Sequence, residues 1–179
     1  MKKFQNMAVN SLLYLVYMFV GCVAVMAVEA LLVYIISRFV IIPYPVLTVI
    51  RLVVYTAGVP AVMVGIGYAE GYRESVPAVG ETVVGGILAM ALHLLLALLF
   101  GFQAFVAGGV RFAAGLIRHG WDITDEALVT DTPMGLYLLM FAIYGALYVT
   151  ALTVSRYFGA QHRIISRAEL RRGETPENE

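Results

Sequence analysis

Residues 12–36 read LLYLVYMFVGCVAVMAVEALLVYII, an apolar run broken by a single charge at Glu29. Its length decides the class of the protein. At 1.5 Å per residue, about 25 residues reach ~37 Å, more than the ~30 Å hydrocarbon core of a bilayer. Lys2 and Lys3 precede the run, as basic residues precede the apolar core of a secretion signal. A removable core is only ~7–15 residues long, so this run reads as a retained anchor. Phe19-Val20-Gly21-Cys22 faintly resembles a lipoprotein processing site, but no polar tether follows Cys22 and Phe19 fits it poorly.

The whole chain follows this pattern. Of 179 residues, 61% are hydrophobic and 13% charged, with a mean hydropathy of +0.85. Such a chain needs lipid as solvent. Twelve basic residues balance twelve acidic ones, so no global field recruits nucleic acid or an acidic ligand. Cys22 is the lone cysteine, which excludes an internal disulfide and a multi-cysteine metal site.

Three more runs, 46–69, 83–105 and 134–155, are long and apolar enough to span. None alternates with period two, so helices are expected rather than barrel strands. Pro43 and Pro45 break the chain between the first two runs, which predicts antiparallel packing of these neighbours. The expected fold is an all-α integral membrane protein with four transmembrane helices, antiparallel neighbours and both termini on one side. Residues 1–159 form the transmembrane domain and 160–179 a cytoplasmic tail, with 173–179 disordered. Ser166 and Glu169 have capping-box spacing, which allows a short helix in that tail. Pro60 is expected to kink the second helix.

Basic residues set the orientation. Lys2, Lys3, Arg73, Arg156, Arg163, Arg167, Arg171 and Arg172 lie on the side carrying both termini; Arg38, Arg51, Arg111 and Arg118 lie opposite. The excess places both termini in the cytoplasm, in the plasma (cell inner) membrane. The long connection 106–133 then faces outward. Its opening, VAGGVRFAAGLIRHGW, puts Arg111 and Arg118 on one helical face and offers Phe112, Leu116, Ile117 and Trp121 to the membrane interface. An interfacial helix and a prolonged third span fit that stretch equally.

Ionisable side chains within a span face protein or water, because lipid exposure costs roughly 2.5–3.5 kcal/mol. Counting inward from the ends of the runs puts Glu29 ~13 Å, Arg51 ~9 Å and His93 ~16 Å deep. Glu29, Arg51 and His93, with Tyr55 one turn beyond Arg51, therefore form a candidate intramembrane polar cluster. Arg51 is the partner expected for Glu29, since an unpaired carboxylate there would take up a proton. The stripes Tyr55, Gly58, Val62, Gly65, Ala69 and Thr82, Gly86, Ala89, Ala97, Gly101, Ala104 are small enough for close helix contact. Two readings of the cluster follow: a pair that fixes helix packing, or a proton or ion route with Glu29 titrating and His93 as relay.

Other signals are weak. GIGYAEG, 65–71, lacks dinucleotide-loop spacing and follows a span, whereas Gly67 and Gly71 have GxxxG spacing. Asp122, Thr124 and Glu126 open like a calcium loop, but Ala127 and Pro133 replace its glycine and closing glutamate. Tyr137, Phe141, Tyr144 and Tyr148 form an aromatic stripe that reads as core. His93 alone cannot supply a bis-histidine haem site within one chain. No catalytic triad, phosphate loop or HExxH motif is present, so no cofactor is expected and catalysis is not the leading expectation. The expected role is transport-related, as a transporter or channel protomer or an accessory subunit of a transport complex; a scaffold or regulatory subunit is the alternative. Four spans rarely enclose a complete pathway, so a homo-oligomer or a partner membrane subunit is expected alongside the lipid bilayer, and no nucleic acid.

Overall fold

A computed structural model of the chain describes residues 2–73, 79–100, 108–124 and 133–173. Five helices carry nearly all of them: α1 (Lys2–Ser37), α2 (Tyr44–Arg73), α3 (Val79–Phe100), α4 (Gly108–His119) and α5 (Met134–Gly173). A single 3-10 turn, Gly120–Asp122, follows α4. Four helices are long and apolar enough to cross a membrane: Ala8–Ser37, Tyr44–Arg73, Val79–Leu99 and Met134–Ala168. Each satisfies its backbone internally, as a segment in lipid must. Of the third expected run, 101–105 lie outside the described residues; so do 174–179 at the C-terminal end. The expected tail begins as helix, because α5 runs without interruption through Gly173.

Local chemistry explains the helix ends. The last turn of α1 closes when the amides of Phe39 and Val40 both donate to the Ile36 carbonyl at 3.0 and 3.1 Å. The Pro43 carbonyl accepts from Leu47 at 3.0 Å, which opens α2. Pro45 lies in its first turn, where a missing amide costs nothing. At the far end of α4, Gly120 has φ +56, the left-handed conformation that ends helices and that glycine adopts without strain. The stretch around Arg111 is helical from Gly108 to His119, and residues 101–107, on which its continuity with the third span depends, lie outside the described residues.

Contacts between helices fall in ordered ladders. Along α1 and α2, Glu29 meets Arg51, Val25 meets Gly58, and Gly21 meets Val62 and Met63. Along α1 and α3, Tyr14 meets Gly85 and Phe19 meets His93. Along α3 and α5, Gly86 meets Val149, Met90 meets Gly145, and His93 meets Phe141. The α2–α5 contact is the most extensive, and glycine makes it so. A methyl group on Gly67 would come within 2.6 Å of the Leu152 carbonyl oxygen, and one on Gly159 within 2.9 Å of the Tyr72 amide. Lipid tails are as apolar as leucine, so such close backbone approach is the main attraction between spans.

Burial on α2 follows Tyr55, Val59, Met63, Gly67 and Gly71. The small stripe expected to pack keeps Tyr55, Gly58 and Val62 against neighbours, but Gly65 and Ala69 are exposed. An arc of 3.6 residues per turn drifts off any strict step of four, and α5 takes up the side bearing Gly67 and Gly71 instead. On α3 the expected stripe is buried at Thr82, Gly86, Ala89 and Ala97; Gly101 and Ala104 lie outside the described residues. The bundle's perimeter is apolar: Val23, Leu99 and Ile143 are 64%, 67% and 51% exposed. Such surface suits contact with acyl chains rather than water.

Candidate functional site

Glu29 and Arg51 face each other between α1 and α2. Arg51 Nε donates to Glu29 Oε1 at 2.8 Å, with the side chains 25% and 13% exposed. The guanidinium also lies over the Phe112 ring, 5.6 Å from its centroid, a cation–π arrangement that gains strength as water is excluded. Tyr55, one turn further along α2 and 5% exposed, has its ring 6.0 Å from the same Phe112. Phe112 therefore turns inward from α4 and joins the pair to Tyr55. On the same helix Val110 and Ala114 are fully buried, while Ile117 and Trp121 stay 62% and 70% exposed.

His93 sits elsewhere. It is 2% exposed and held between Phe19, at 5.2 Å between centroids, and the edge-on ring of Phe141, at 5.3 Å. Phe19 precedes Glu29 by ten residues on α1, or ~15 Å of rise. The structure thus brings Glu29, Arg51 and Tyr55 together and places His93 on a different level, within an aromatic sandwich.

A second ionic group, which sequence reasoning does not single out, occupies the other end of α2. Arg156 Nη1 lies 3.7 Å from Glu70 Oε2 and donates a hydrogen bond to the Tyr14 hydroxyl. The Arg156 guanidinium is 5.9 Å from the centroid of the same tyrosine ring, and Tyr17 faces the Glu70 carboxylate. Three helices contribute: α1 through the tyrosines, α2 through Glu70 and α5 through Arg156. Gly71 makes the approach possible, since its Cα packs directly on the Arg156 backbone. The sequence does hold a signal: apolar and small residues, Tyr157, Phe158, Gly159 and Ala160, continue beyond Arg156, which marks that arginine as intrahelical.

Between the two groups the interior carries hydroxyls. Thr56 and Tyr144 hydrogen-bond across α2 and α5, and the rings of Tyr144 and Tyr148 meet edge to face at 6.0 Å. A cavity of ≈ 20 Å³ among all four long helices lies beside Tyr14 and Tyr148. Outside the core, the Tyr68 hydroxyl bonds His162 Nδ1 and Tyr72 meets the same imidazole edge-on at 5.7 Å. Arg163 donates to the Arg73 carbonyl and so caps the C-terminus of α2.

The arrangement holds charge in neutral pairs and supplies hydroxyls for hydrogen bonding. Among the described residues no three His, Cys, Asp or Glu side chains gather as metal ligands. Set beside known proteins, the chain matches no family model, no curated protein and no solved structure.

Proposed function

We propose that this chain is a small transport-related integral membrane protein, serving as an accessory subunit or as one protomer of a larger assembly. The observation that carries this reading is the polar interior: an ion pair toward each end of α2, with the hydroxyls of Tyr55, Thr56, Tyr144, Tyr148 and Tyr14 between them. A bundle that only had to dissolve in lipid has no use for such groups, whose burial is costly and which mark solute and proton routes in spans. The pocket among the four long helices is small, ≈ 20 Å³, too little for a solute larger than water, whereas a more open one of ≈ 520 Å³ runs along Leu52, Thr56, Ala113 and Tyr144. A second copy or a partner that covers the open side would complete a route there.

The proposed topology has antiparallel neighbours and both termini in the cytoplasm of a plasma-membrane protein. The order of contacts along each helix pair supports the first part, and the basic excess supports the second. A scaffold or regulatory role is the second reading, favoured by the 2.8 Å Glu29–Arg51 contact, which suits a clamp that fixes packing.

Reconstitution separates the readings. Purified chain in proteoliposomes, alone and with whatever copurifies after mild detergent extraction, is assayed for proton and ion flux as wild type and as Glu29→Gln. Flux above empty vesicles supports the transport reading, and its loss in Glu29→Gln assigns the carboxylate a titrating role. Absence of flux from every preparation leaves the scaffold reading standing instead.

A further inference from the structure

We propose that the end of the bundle where α5 runs past the C-terminus of α2 binds the headgroup of an anionic phospholipid. The two helices are tied together there. Arg163 donates to the Arg73 carbonyl, which also answers the partial negative charge at that helix end. The Tyr68 hydroxyl bonds His162, and Tyr72 meets the same imidazole edge-on. Tyr68 and Tyr72, with ring centroids 6.4 Å apart, are exposed, and so are Arg73 and Arg167. Arg163 and Arg167 stand one turn apart on α5, which puts them on one side of that helix. Of the described acidic side chains toward this end, Glu70 is matched by Arg156, and Glu81 stands on α3, which packs against α1 and α5. Among the described side chains, the patch therefore keeps positive charge in excess.

The level of that charge decides what meets it. Headgroups add ~5–7 Å to each face of the hydrocarbon core, and tyrosine rings settle at the boundary between the two. Arg167 stands five residues beyond His162 (162 to 167), about 7.5 Å of rise, so with Tyr68 and Tyr72 at that boundary it reaches the phosphate level. Clustered arginines there attract anionic lipid, and a guanidinium matches phosphate oxygens in pairs. Phe158 and Ile165 on α5 are 60% and 54% exposed, which supplies apolar surface for acyl chains beside the charge. A free anion has no use for that surface, whereas a phospholipid uses both. The inference does not depend on the transport reading, since a scaffold borders lipid in the same way.

The test uses the full chain in nanodiscs of phosphatidylcholine doped with phosphatidylglycerol of the same acyl chains. The lipids retained by the ejected protein are counted by native mass spectrometry, for wild type, Arg167→Gln and Arg118→Gln, with and without inorganic phosphate in the buffer. Wild type is expected to retain phosphatidylglycerol in preference to phosphatidylcholine. Arg167→Gln is expected to lower that preference about 5-fold, the factor equivalent to ~1 kcal/mol for one basic residue at an anionic surface. Arg167 is exposed, so its replacement leaves the helix packing in place, and Arg118→Gln, on α4, is expected to leave the preference unchanged. Equal retention of the two lipids, or an unaltered preference in Arg167→Gln, overturns the proposal. An equal loss in Arg118→Gln means that net charge alone recruits the lipid and overturns the site. Displacement of the lipid by inorganic phosphate marks a free-anion site and overturns the lipid as its occupant.

Discussion

Arg51 and Glu70 stand nineteen residues apart on α2 (51 to 70), about 28 Å along its axis, and each pairs with a different helix: Arg51 with Glu29 of α1, Glu70 with Arg156 of α5. That separation matches the ~30 Å hydrocarbon thickness of a bilayer. On the proposed topology the two pairs would bracket the apolar layer of one bilayer, with α2 joined to a different neighbour toward each of its ends. Aromatic side chains flank the same levels, with Tyr34 and Trp121 exposed at one end and Tyr68, Tyr72 and Tyr157 at the other, as expected of interfacial belts.

The Glu29–Arg51 contact predicts energetic coupling. Glu29→Gln and Arg51→Gln are each expected to cost about 1–3 kcal/mol, because each leaves a half-buried charged partner unmet. The double variant is expected to be less destabilised than the sum, with a coupling of about 0.5–3 kcal/mol. Reversible unfolding in mixed micelles measures all three, and additive losses would contradict a direct contact.

Glycine packing gives a sharper contrast. Gly71→Ala forces a methyl group onto the Arg156 backbone, which no rotamer change relieves. A loss of about 1–3 kcal/mol, with weakened α2–α5 contact, is expected. Gly65, six positions earlier on the same helix, would carry a methyl group with nothing within 4 Å of it; there alanine should gain about 0.5–1 kcal/mol through reduced backbone entropy. Equal effects of the two substitutions would remove the close-packed seam.

The spans are legible in the sequence because apolar length is a one-dimensional property. The Glu29–Arg51 contact is reachable too, since Pro43 and Pro45 tie the levels of α1 and α2 together across a short turn. His93 cannot be placed the same way: its depth is counted from Thr82, across a connection whose geometry no local signal fixes, and its contact with α1 lies ~15 Å along that helix from the pair. Glu70 and Arg156 each stand at the edge of an apolar run, so hydropathy alone leaves them outside the spans. Their pairing depends on α5 continuing as helix beyond 155 and on Gly71 and Gly159 letting it close on α2. The residues after Arg156 hint at the first, but the second is a tertiary fact that composition does not carry.

The proposed topology predicts sided labelling. In a Cys22→Ala background, Arg118→Cys, at an exposed position on α4, is expected to react with an impermeant maleimide in intact cells. Arg167→Cys, exposed on α5, is expected to react only after the cytoplasmic face is opened. The reverse pattern would invert the orientation. Reaction of both from the same side would break the bracketing of one bilayer by the two ion pairs.

Trp121 gives an optical test of α4, because it is the chain's one tryptophan and is 70% exposed. It follows a helix whose Val110 and Ala114 are buried in the bundle while Ile117 points out beside it. An exposed tryptophan and isoleucine near Arg118 suit the headgroup boundary, where an amphipathic helix lies with its rings at the carbonyl level. Lipids brominated near the acyl carbonyl are therefore expected to quench the emission strongly, those brominated at the chain ends weakly, and aqueous iodide weakly. Strong iodide quenching with little effect of any brominated lipid would place α4 in water and detach it from the interface. In that case Arg51 would stand nearer to solvent than its level on α2 implies, and Glu29→Gln would cost less than about 1 kcal/mol, as for an exposed pair.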